Sequence, residues 1–131
     1  MRIVIFTVAL FSMCLGAPRV ETSGADTSPY IKLTQVIKDG TLRVSAKNIS
    51  HKPIVAYVIA FEEGGQSTTH HDFYTGRDSF GPGKTIELVF AVQSPSSAPK
   101  AFVDYVRLSD SSTWGKQITE DGKDVAASFQ N

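Results

Sequence analysis

His70-His71-Asp72 is the only histidine cluster in the chain, and it is the first place to look for chemistry. Imidazole and carboxylate are both metal ligands, and on a strand His70 and Asp72 share one face while His71 points to the other. Two ligands on one face leave a zinc or copper site incomplete, and nothing in the sequence brings His51 in as a third. The metal option therefore rests on His70 and Asp72 alone, against a solvated strand edge. Beyond Cys14, Met1 and Met13 the chain has no Cys or Met, so the segment after Gly16 lacks the soft ligands of a blue-copper sandwich.

Other candidates are thinner. Serines are plentiful, yet none sits in a Gly-x-Ser-x-Gly elbow. Glu62 and Glu63 are adjacent, and neighbouring strand residues diverge, whereas glycosidase carboxylates must face each other across a bond. Asp110, Glu120, Asp121 and Asp124 offer oxygen ligands for calcium, but without the Asp-x-Asp-x-Asp-Gly order of a calcium loop. Trp114, Tyr57, Phe73 and Tyr74 are the aromatics a sugar or peptide platform would recruit, with Trp114 beside Tyr105 the best anchor pair if exposed; Trp114 otherwise lies in the core or plugs the sandwich edge. Asn48-Ile49-Ser50 matches the glycosylation pattern. These residues lead to a non-enzymatic expectation with no cofactor.

The elements that hold these residues read as β throughout. The 131 residues, 41% apolar and 20% charged, suit a single globular domain. Formal charge is zero and no basic run occurs, which removes the electrostatic footprint of a nucleic-acid binder. Met1 to Gly16 has a basic Arg2, a short apolar run to Leu15 and small residues at Cys14 and Gly16. This is the pattern of a secretory signal cleaved before Ala17, leaving no transmembrane segment behind. Lipid attachment at Cys14 is a minor alternative, since Phe11-Ser12-Met13 is a poor lipoprotein lead-in. The expected destination is secreted or periplasmic. Residues 17–29 read as a flexible leader, 30–118 as the folded domain and 119–131 as a polar tail in which Val125 to Phe129 forms a short helix or lies loose.

Within the domain, short apolar stretches recur between turn signals at the spacing of a sandwich. Ile31, Leu33 and Ile37 alternate with polar residues, Asp39-Gly40 turns the chain, and Leu42, Val44 and Ala46 follow on one face. Ile54 to Phe61 is apolar on both faces: Ile54, Ala56, Val58 and Ala60 on one, Val55, Tyr57, Ile59 and Phe61 on the other. A two-layer sandwich covers only one of these, so a loop, the tail or a partner must cover the second. Thr68 to Thr75 follows with Phe73 inward. Ile86, Leu88, Phe90 and Val92 alternate after Gly81-Pro82-Gly83, and Ala101 to Leu108 is strongly apolar. The sum is an all-β antiparallel sandwich of about seven strands.

Asn48-Ile49-Ser50-His51-Lys52-Pro53-Ile54 feeding an apolar strand, with Pro82-Gly83 before another, resembles the FxLYD-type group of bacterial immunoglobulin-like envelope domains. Val103-Asp104-Tyr105-Val106-Arg107-Leu108-Ser109-Asp110 with Thr113-Trp114-Gly115 resembles a set of small exported bacterial proteins. Together these cover roughly residues 45–115. Val58-Ile59-Ala60-Phe61-Glu62 stands where a Phe-x-Leu-Tyr-Asp string would fall. The resemblance implies an immunoglobulin-like sandwich in an envelope or extracellular setting and supplies no catalytic residues to carry over. With no catalytic set in the sequence, the expectation is a protein or envelope partner.

Overall fold

The computed structural model describes residues 28–74, 80–93 and 99–130, and the backbone of 19–21. The proposed signal, Cys14 and most of the leader lie outside the described residues. Two antiparallel sheets stack as a sandwich. The first contains β2 (Ile31–Lys38), β3 (Thr41–Asn48) and β6 (Thr85–Ala91), in that order, with a three-residue strand β1 (Arg19–Glu21) beside β2. That short strand falls inside the stretch read as leader. The second has the order β5 (Gln66–Phe73), β4 (Ile54–Glu63), β7 (Lys100–Leu108), β8 (Thr113–Trp114). The chain returns to the first sheet at β6, the crossing connectivity of an immunoglobulin-type sandwich. One helix, α1 (Glu120–Ala127), follows. No helix among the described residues is long and apolar enough to cross a membrane.

The β2–β3 hairpin closes on Asp39 and Gly40, with φ of 53° and 76°. Two successive positive φ values define the turn that matches strand twist, as the Asp-Gly pair predicts. The register Lys38↔Thr41 then places Leu33 opposite Ala46, both inward. Leu42, Val44 and Ala46 are buried, and so are Leu88 and Phe90 across on β6. Phe61 meets Phe90 at 4.9 Å between ring centroids, joining the two layers. Gln35 takes an inward slot on β2: its amide nitrogen donates to Pro99 O (3.0 Å) and its oxygen accepts from Ala101 N (2.8 Å). A buried amide satisfied at both ends costs little and ties one sheet to the start of β7 in the other.

Two irregularities in the β4–β7 ladder decide which residues face which way. Ile54 pairs with Leu108 but Ala56 with Arg107, so Val55 is an extra residue. This bulge moves Ile54 into the main core with Tyr57, Ile59 and Phe61, not onto the face of Ala56 and Val58 that simple alternation assigns it. Further along, Val58 pairs with Tyr105 and Ile59 with Val103, leaving Asp104 extra on β7.

The second apolar row of β4 does need a cover, and the tail supplies it. Ala56, Val58 and Tyr105 pack with Val125 and Ala126 of α1, and Phe129 joins at the margin. The tail is helical, but over Glu120–Ala127, starting five residues before the Val125 to Phe129 expected and ending at the Ser128 cap. Eight residues make a helix too short to persist alone, so its packing against β4 and β7 holds it in place.

Candidate functional site

Strand β5 is one edge of its sheet and carries the histidine cluster. Its register with β4 puts His71 and Phe73 opposite Val58 and Ala56, on the helix-covered face. Phe73 is 48% exposed and is not an inward residue. The β4–β5 turn at Gly64-Gly65 sets the register, and this overrides the pull of one aromatic in a polar strand. On that outer face Phe73 contacts His71 edge-on (5.8 Å) and Phe129 at a tilt (6.0 Å). The Arg107 guanidinium stacks 4.4 Å above the Phe129 ring and donates to Ser111 Oγ at 3.1 Å. Beside them, His71 Nδ1 and Thr69 Oγ1 both donate to Asp121 Oδ2, at 2.7 and 2.9 Å. Strand, helix and tail thus assemble an aromatic patch carrying a cation.

The other side of β5 holds the pair considered as metal ligands. His70 Nε2 lies 3.2 Å from Asp72 Oδ2, sharing a face as alternation predicts. Tyr57 OH donates to that same oxygen at 2.7 Å. Burial, then the bond to Asp72, pushes the Tyr57 hydroxyl well above its ordinary range; burial and the Asp72 charge raise Tyr74. Ionising either would place a second negative charge beside the carboxylate. Among the described residues no third His, Cys, Asp or Glu joins the pair. What the arrangement does visibly is anchor a buried tyrosine hydroxyl.

Asp104 is the functional-looking residue that sequence reading passed over. Its side chain is wholly buried. Its Oδ1 accepts from Ile118 N (2.9 Å), and its Oδ2 accepts from Thr119 N (3.0 Å) and Thr119 Oγ1 (2.5 Å). Thr119 in turn caps α1 by accepting from Gly122 N at 2.8 Å. Gly122 must be glycine here, since a Cβ would stand 1.9 Å from Asp104 Oδ2. Asp104 is the extra residue of the β7 bulge, and its carboxylate meets the entry of the helix. A buried Asp in an apolar strand was the available signal.

The aromatic pair proposed from sequence is not a platform. Trp114 is half-buried against the main core, paired with Val106 on β7. Tyr105 is 2% exposed and lies on the opposite face, under α1. Asn48 of the glycosylation pattern is likewise buried, donating to Lys52 O (2.9 Å) and Phe80 O (2.8 Å) and accepting from Ser50 N (2.8 Å). That Asn-x-Ser segment is a structural knot, closed to modification in the folded chain. Of the acidic residues weighed for calcium, Asp110 accepts from Ser112 N and Asp121 serves His71 and Thr69, in different parts of the fold.

No family model matches the chain, and no curated protein matches it.

Proposed function

We propose that this protein is an exported, non-enzymatic interaction or structural module of a bacterial cell envelope, of the kind the FxLYD-type resemblance implies. The supporting observation is a surface: Phe73, half exposed, lies at a tilt against Phe129, whose ring sits beneath Arg107. Aromatic and arginine side chains are the residues that most often anchor protein interfaces. Export is supported by the signal pattern of residues 1–16. Partner capture from envelope extract tests the reading. Wild-type protein should retain a specific partner that Phe73→Ser combined with Arg107→Ala loses. Retention by the double variant, or no specific partner even at high protein concentration, counts against it.

A carbohydrate- or peptide-binding role through exposed aromatics is the second reading. It moves from Trp114 and Tyr105 to Phe73 and Phe129, the aromatics that solvent reaches. Saturable binding of an oligosaccharide or short peptide, abolished by Phe73→Ser, would favour it.

A further inference from the structure

The first sheet ends at β6, and among the described residues no strand lies beyond it. Lys84 O accepts from Asn48 N at 3.0 Å and Val92 N donates to Gly40 O at 2.9 Å, so the bonds to β3 fall on even-numbered residues. Antiparallel pairing alternates, and the N–H and C=O groups of Thr85, Glu87, Val89 and Ala91 therefore point away from β3. Such an edge is ordinarily blunted with charge, proline or a bulge. Strand β5 has that protection in His70, His71 and Asp72. Strand β6 reads Thr-Ile-Glu-Leu-Val-Phe-Ala, with a single charge and Val89 55% exposed.

We infer that β6 is a self-association edge, at which a second copy of this chain adds its own β6 antiparallel about Leu88. The register is self-complementary. Pairing Leu88 with Leu88 of the second copy sets Glu87 against Val89 and Thr85 against Ala91, the residues whose backbone groups lack a β3 partner. A two-fold axis then repeats each contact, as an isologous dimer requires.

The outer faces carry matching charge. Arg43 pairs with Val89 across β3–β6, and Ser45 donates to Glu87 at 2.6 Å. Across the joint, the row reads Arg43, Val89, then Glu87 of the second copy. Two strand spacings, about 10 Å, separate that arginine and glutamate at the backbone, within their combined reach over Val89. Arg43 is exposed and has no ion pair among the described residues. Symmetry supplies the pair twice. Formal charge is zero over the whole chain and −1 once Arg2 leaves with the proposed signal, so little long-range repulsion opposes the two copies.

Sedimentation analysis of the purified protein over a wide concentration range tests this, with circular dichroism as the folding control. The expected result is a concentration-dependent dimer. Val89→Lys, at an exposed position, should weaken it at least tenfold. Val89→Pro should do the same, because it deletes an outward N–H and no bond to β3. Glu87→Arg should weaken the dimer, and adding Arg43→Glu should restore it. A monomer at every concentration, or a dimer indifferent to both Val89 variants, overturns the inference. A dimer that the Arg43→Glu, Glu87→Arg double variant does not restore overturns the register.

Discussion

The two faces of the β5-β4-β7-β8 sheet are closed in different ways. The inner face meets a whole second sheet, and large side chains such as Tyr57, Phe61, Phe80 and Phe90 fill the space between. The outer face has a thin apolar strip of Ala56, Val58 and Tyr105, and a single eight-residue helix covers it. Packing suffices inside. Outside, the buried area is small, and polar ties supply the rest: Asp104 at the helix entry, and Asp121 of the first turn with His71 and Thr69. A small apolar interface can be made specific by a buried carboxylate that accepts hydrogen bonds at both oxygens.

Perturbing the ties should separate the faces. Asp104→Ala strands two backbone N–H groups and the Thr119 hydroxyl, and should cost about 3–5 kcal/mol in denaturant unfolding. The dye-accessible apolar surface should rise as α1 detaches. Gly122→Ala drives a methyl into Asp104 Oδ2 and should cost about 2 kcal/mol, although alanine is the better helix former. Tyr57→Phe, on the inner face, should cost about 1 kcal/mol at neutral pH. It should also flatten the alkaline limb of stability. The raised hydroxyl favours the folded state fully below the ordinary tyrosine value of 10.0, and that contribution is lost as pH climbs beyond it. A pH series of unfolding midpoints checks the sign. Phe73→Ser should change stability least, by about 0.5 kcal/mol or less, since Phe73 is half exposed.

The inner face was largely legible in sequence. Alternation in Leu42-Val44-Ala46 and Leu88-Phe90 depends only on local pattern, and Asp39-Gly40 set the register between β2 and β3. The outer face was legible only as a demand, in the second apolar row of β4. Which of loop, tail or partner meets it was not, because Gly122, Val125 and Ala126 are too few and too small to show a clear helical stripe. Bulges defeated the side assignments. Val55 turned Ile54 inward, and the extra Asp104 brought a charge into what reads as an apolar strand. Tyr105 looked like a possible platform because its cover lies some twenty residues further along the chain.

Native-state amide hydrogen exchange at Ile118, Thr119 and Gly122 tests the claim that the outer face is closed by the chain's own helix. These three N–H groups bind Asp104 or the Thr119 cap. Protection comparable with that of β4 and β7, lost together in Asp104→Ala while β3 and β6 stay protected, is the predicted result. Exchange at open-chain rates in the wild type would contradict it, leaving the outer row of β4 uncovered.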